Sequence, residues 1–160
     1  MLTRERHDRH LPEAPVFEAA GPVVLATLSC GVDPAAERLA IESALEAGVS
    51  LVVVNAVQLP ALPRALVLGG PSAISFPHEE DYEAVRGTAE RAAKLGLRVE
   101  HLRVVSPRPA KALVQLANER AAGLLVLGPR RRRLFARRWR FKRAAREVRR
   151  TAACLVWIAG

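Results

Sequence analysis

Val23-Val24-Leu25-Ala26-Thr27-Leu28 is a short run, apolar but for one threonine. It is too short for a helix and does not alternate, so it reads as a strand buried on both faces. Asp33-Pro34 follows: an acid that can cap a helix, then proline at the first helical position, where a missing N–H costs nothing. The helix this opens runs to Gly48, a natural stop. Residues 49–57 are a second apolar run and a second strand. A buried strand, a helix and another buried strand make a βαβ unit, which requires helices on both faces of a parallel sheet.

The same alternation continues along the chain. Residues 60–77 are broken by Pro60, Pro63, Gly69-Gly70, Pro71 and Pro77, long enough for a lid or a partly helical excursion. A helix over residues 79–95 carries Tyr82, Val85, Ala89 and Ala92 on one side and stops at Gly96. A strand over 97–105 bears Arg98, Glu100 and Arg103, charges that suit a sheet edge. Pro107 and Pro109 start the next helix, whose inward stripe is Ala110, Leu113, Val114, Ala117 and Ala121, closed by Gly123. Leu124-Leu125-Val126-Leu127 is a fourth strand, ended by Gly128-Pro129. A last helix over 136–151 turns Phe141, Ala144, Ala145, Val148 and Ala152 inward, and residues 154–158 form a fifth strand. The fold class is α/β: one doubly wound domain over residues 22–160, behind a flexible arm of residues 1–21. In such sheets ligands sit beyond the carboxyl ends of the strands, where the strand order reverses.

The chain of 160 residues matches one domain, and half of it is apolar, enough for a sizeable core without staples. Two cysteines make no disulfide framework and fit a reducing compartment. No apolar run is long enough to span a bilayer, and the charged, proline-broken start lacks the apolar centre of a signal peptide. A cytoplasmic location is expected. The charge is lopsided: 25 basic and 16 acidic residues give +9. Residues 130–150 alone hold twelve of the basic residues and one acid, Glu147, so that segment is +11 and the rest of the chain −2. A near-neutral domain therefore carries one cationic segment, which calls for a local reason.

Several pieces, in this order and spacing, carry a family resemblance: the Gly31-Val32-Asp33-Pro34 turn, the strand end Val53-Val54-Asn55-Ala56-Val57, the segment Val99-Glu100-His101-Leu102-Arg103-Val104-Val105, the stretch Leu124-Leu125-Val126-Leu127-Gly128, and the closing Arg150-Thr151-Ala152-Ala153-Cys154-Leu155-Val156. Over residues 21–160 the chain resembles the universal stress protein family. The resemblance implies a five-stranded parallel sheet of order 3-2-1-4-5. It also implies a homodimer through the last strand, here Cys154, Leu155, Val156, Trp157 and Ile158. Many members bind ATP on a Gly-x2-Gly-x9-Gly-(Ser/Thr) motif, in which glycines let backbone N–H groups approach phosphates. Here Gly128 keeps the first glycine, Arg131 stands at the second, and Phe141-Lys142, or Lys142-Arg143 one residue on, stand at the third glycine and hydroxyl. The family's aspartate after the first strand falls on Cys30, or on Ser29 in the neighbouring register. The crevice residues are thus Ser29, Cys30, Ala56, Gly128, Arg130, Arg131, Arg132, Arg133, Lys142 and Arg143, in a degenerate nucleotide or anion site. ATP held in the usual pose is not expected.

The arginines admit two readings. One is a solvated surface. The other is an anionic partner, because guanidinium binds phosphate bidentately and never deprotonates, and twelve cations against one acid repel one another unless an anion is present. Among the interleaved aromatics Phe141 fits the buried stripe. Trp139 lies off it, where a dimer contact is favoured over a base-stacking platform or a membrane-surface anchor.

No nucleophile elbow, paired-cysteine motif, zinc-protease helix or Walker loop is present. His7, His10, His78 and His101 lack the convergent partners of a metal site. Cys30 could serve as a redox-sensitive thiol near the crevice, and Cys154 starts its strand at the opposite sheet end, too far for a bridge. The expectation is a non-enzymatic, regulatory or stress-response domain with no cofactor and no metal. One alternative is a module binding nucleic acid or acidic lipid through residues 130–150. Another is a nucleotide or phosphorylated-anion binder in which arginine side chains replace the glycine loop.

Overall fold

A computed structural model of the chain describes residues 21–28, 31–59, 79–128 and 135–159. Five strands and four helices alternate: β1 (Val23–Leu28), α1 (Pro34–Ala47), β2 (Leu51–Gln58), α2 (Glu79–Lys94), β3 (Val99–Ser106), α3 (Pro109–Glu119), β4 (Leu124–Leu127), α4 (Phe135–Thr151) and β5 (Leu155–Ile158). The strands form one parallel sheet in the order β3-β2-β1-β4-β5. The expected fold class and strand order are therefore observed.

The two-sided burial of the central strands has a direct cause. Odd residues of β1 and β2, among them Val23, Leu25, Leu51 and Val53, pack with Ala36, Ala40 and Ala44 of α1 and Val85, Ala89 and Ala92 of α2. Even residues, among them Val24, Val52 and Val54, pack with Leu113, Val114 and Ala117 of α3 and Val148 of α4. Alternate side chains point to opposite faces, so a strand roofed on both sides is largely apolar.

Strand edges differ from the expectation by one or two residues. Val49 and Leu97 prolong the apolar runs but belong to turns, where their N–H groups bond to Ala44 O and Ala92 O at the helix ends. Cys154 likewise precedes β5. One stripe residue is corrected: Ala121 is exposed and takes φ 48°, because α3 ends at Glu119 rather than near Gly123. Ala122 is the alanine that enters the core. The turn also explains Gly21, since a Cβ there would stand 1.7 Å from Ala121 O.

Glu37 of α1 ties that helix to α2. Glu37 accepts from Arg91 at 2.7 and 2.9 Å and from the Thr88 hydroxyl at 3.0 Å. Burial pushes the Glu37 carboxyl up, but these hydrogen bonds and the Arg91 charge outweigh it and hold the group below the usual glutamate value. A depressed carboxylate adds stability above its unfolded pKa and loses it as pH falls through the folded one. Glu37→Gln is expected to cost about 1 kcal/mol at neutral pH, the half-exposed Arg91 discounting a charged hydrogen bond. Urea melts should show the gap between variant and wild type closing well below pH 4.5.

The two sheet edges are unlike. β3 carries Glu100, His101 and Arg103, with Glu100 paired to Arg120, which blunts that edge against further pairing. β5 reads Leu155-Val156-Trp157-Ile158, without a charge, and Leu155 is exposed.

Candidate functional site

β1 is the strand from which the order departs both ways. The chain leaves β1 for α1 on one face and leaves β4, its neighbour, for α4 on the other. The crevice of a doubly wound sheet lies between such strands. Here its floor is Gly128. The Gly128 N–H donates to Ala26 O at 3.3 Å, and the Asp33 N–H donates to Gly128 O at 3.1 Å. These bonds lock the end of β4 to β1 and to the start of α1. Helix α1 comes so close that a Cβ on Gly128 would stand 2.1 Å from Ala36 Cβ and 3.3 Å from Asp33 Cβ. Bare backbone at this position is required by helix packing alone.

The start of α1 is already satisfied. Asp33 Oδ1 accepts from the N–H groups of Ala35 and Ala36 at 2.9 and 3.2 Å. This carboxylate occupies the amides and the positive dipole end that an anion would otherwise use.

Of the residues expected in the crevice, Gly128 and Ala56 lie at the carboxyl ends of their strands. Ala56 is fully buried in register with Leu28 and Val104. Ser29, Cys30 and Arg130, Arg131, Arg132 and Arg133 lie outside the described residues. Phe141, Lys142 and Arg143 stand inside the continuous helix α4, not at its start. Their N–H groups there serve the i→i−4 ladder. Phe141 packs on the core, while Lys142 and Arg143 line a separate cavity of about 260 Å³ with Trp139 and Arg146 on the outer side of α4. Burial pushes the Cys154 thiol up, away from reactivity. Among the described residues no group of three or more His, Cys, Asp or Glu could hold a metal ion, and no helix is long and apolar enough to cross a membrane.

One polar row was not expected from the sequence. Thr27 and Asn55 are register neighbours on β1 and β2, 1% and 0% exposed. The Thr27 hydroxyl and both amide atoms of Asn55 have no hydrogen-bond partner among the described residues. Arg103 on β3 is the next neighbour in register, its guanidinium 5.0 Å from the centre of the Tyr82 ring, which also stacks on His101 at 5.0 Å. Burial, with the Arg86 charge adding and Glu83 opposing, pushes His101 below its usual value and favours the neutral imidazole. The signal was a polar residue inside each apolar run, but only the register shows that the two are adjacent.

The Universal stress protein family model matches residues 21–160 of this sequence. The chain belongs to that family. Among solved structures, the universal stress protein from Archaeoglobus fulgidus is 27% identical, covers 86% of this chain and 97% of its own, and superposes with a TM-score of 0.60. A universal stress protein from Archaeoglobus fulgidus in complex with dAMP is 26% identical, covers 86% and 96%, and gives 0.54. UspA from Lactobacillus plantarum, at 16% identity, covers 87% and 97% with a TM-score of 0.60, a likeness of fold. No curated protein matches the chain. Within this universal stress protein the Gly128 turn joins the end of β4 to β1 and to the start of α1.

Proposed function

We propose that this universal stress protein is a non-catalytic regulatory domain that acts by binding and does not hold ATP on a glycine loop. The observation that carries this is helix α4, unbroken from Phe135 to Thr151. Residues 141–143, which align with the motif's last glycine and hydroxyl, spend their amides on the helix ladder. Two further features support it. Gly128 is explained by the close approach of Ala36, and the other free helix start, that of α1, is capped by Asp33. The crevice as described offers no nucleophile paired with a base and no pair of facing carboxylates, the groups hydrolytic chemistry needs.

The Archaeoglobus relative solved in complex with dAMP supports a nucleotide as the ligand to test, and the crevice is where doubly wound sheets hold ligands. A monophosphate asks for fewer main-chain donors than a triphosphate, so the two ligands separate the readings. Melting temperature with and without each nucleotide is the test. A ligand at 100 times its dissociation constant adds about 2.7 kcal/mol. The reading expects no ATP-specific stabilisation; a saturable rise with ATP that exceeds the rise with inorganic polyphosphate overturns it.

Pairing of two copies through β5 belongs to the same proposal. β5 is an edge strand without charge, and Leu155 is exposed beside half-buried Val156, Trp157 and Ile158. Such an edge is a template for a second copy.

A further inference from the structure

The outer face of α4 combines features that the crevice does not use. Trp139 is 66% exposed, whereas Val148 is 0% exposed. At 3.6 residues per turn these positions, nine residues apart, lie about 180° from each other. The indole therefore stands at the middle of the solvent face. Lys142, Arg143 and Arg146 follow it at helical spacing and line with it the cavity of about 260 Å³. Arg149 and Arg150 continue the exposed face toward the end of the helix. Among the described residues none of these cations has a carboxylate partner. A large exposed aromatic ringed by unpaired cations is costly to keep unless something anionic and flat covers it.

Three occupants can be weighed on the same observations. A second copy meeting this face about a twofold axis would set the patch against itself, cation against cation. An anionic bilayer takes up a helix by its apolar side, but the apolar side of α4, with Phe141, Ala145 and Val148, is packed into the domain. A single-stranded nucleic acid supplies both things the face lacks: a base with a π-face for the indole and phosphates for the cations. The distance along the axis from Trp139 to Arg150 is about 16 Å, room for roughly five phosphates at stacked spacing.

We propose that the outer face of α4 binds single-stranded nucleic acid, with one base stacked on Trp139 and the adjoining phosphates held by Lys142, Arg143 and Arg146. This goes beyond the regulatory reading and stands whether or not the crevice holds a nucleotide. The strand is recognised by stacking and backbone charge, so little sequence preference follows.

The test is fluorescence anisotropy of a labelled 12-nucleotide single strand titrated with the full chain at several salt concentrations. Variants are Trp139→Ala, Trp139→Phe and the pair Arg143→Ala with Arg146→Ala, all at exposed positions and each checked by its melting temperature. Trp139→Ala should weaken binding roughly 5- to 150-fold, and Trp139→Phe should restore most of it. The double arginine variant should lower the slope of log affinity against log salt by about 1.4. Equal binding by wild type and Trp139→Ala, or equal displacement by inorganic polyphosphate, overturns the proposal in favour of a plain cationic surface. Tighter binding to anionic lipid vesicles than to the strand overturns it in favour of a membrane. A change of oligomeric state in Trp139→Ala with unaltered strand binding overturns it in favour of a self-interface. Stabilisation by ATP alone, with these results intact, overturns only the reading of the crevice.

Discussion

Gly128→Ala should lower the unfolding free energy by about 3 kcal/mol, and the melting temperature by roughly 6–12 °C for a domain of this size. The new methyl would stand 2.1 Å from Ala36 Cβ, well inside van der Waals contact. Neither side can yield easily. Gly128 is held by main-chain bonds to Ala26 and Asp33, and Ala36 sits in the first turn of α1, fully buried and fixed by the Asp33 cap. Relief therefore means lifting α1 off the sheet. Gly87→Ala is the matched control. Gly87 lies within α2, and its added Cβ would meet only the tip of Arg91 at 3.3 Å. There the helix propensity of alanine should add about 0.5–1 kcal/mol. Opposite signs from the same substitution at two glycines would locate the effect in the wedge. Equal, small changes would show that α1 does not press on Gly128. The result also bears on function. A glycine demanded by packing persists whether or not a phosphate ever approaches it, so its presence alone says little about nucleotide binding.

Val156→Pro should convert a β5-paired homodimer into a monomer while leaving the domain folded. The Ala159 N–H donates to Leu127 O, so alternate residues back along the strand, Trp157 and Leu155, also face β4. Val156 and Ile158 then direct their backbone groups to the open edge. Proline at 156 removes an outward donor and leaves the ladder to β4 intact, the arrangement in which an edge strand tolerates proline. Trp157→Pro, by contrast, removes a ladder bond and should destabilise the fold itself. Sedimentation equilibrium reads the mass and a thermal melt reads the fold. A Val156→Pro protein that stays dimeric, or a wild type that is monomeric at all concentrations, removes β5 from the account.

Much of the architecture could be read from residue order. The starts of α1, α2 and α3 carry a proline or an acid, β1, β2, β4 and β5 are largely apolar, and the charged third strand lies at an edge as expected. The errors have local causes. Val49, Leu97 and Cys154 are apolar residues whose burial in turns imitates strand. Helical spacing puts Ala121 in the buried stripe because alanine is silent about where a helix stops, while its positive φ is a property of the turn. The site was less legible. Gly128 could be located by spacing, but that its role is to admit Ala36 depends on where α1 docks. Counting along the motif puts Lys142 and Arg143 in the crevice. The unbroken helix carries them to the outer face beside Trp139. Thr27 and Asn55 fall in separate apolar runs, and only the register of β1 and β2 makes them neighbours.

Calorimetric titration of ATP into the wild-type chain, and into the chain with Arg130, Arg131, Arg132 and Arg133 all replaced by alanine, tests the central claim most directly. The account predicts no saturable one-to-one heat for wild type at moderate salt, and at most a weak, salt-sensitive signal that disappears with the four arginines. Stoichiometric ATP binding that survives both added salt and the loss of those side chains would mean that the main chain holds the phosphates after all, and would contradict it.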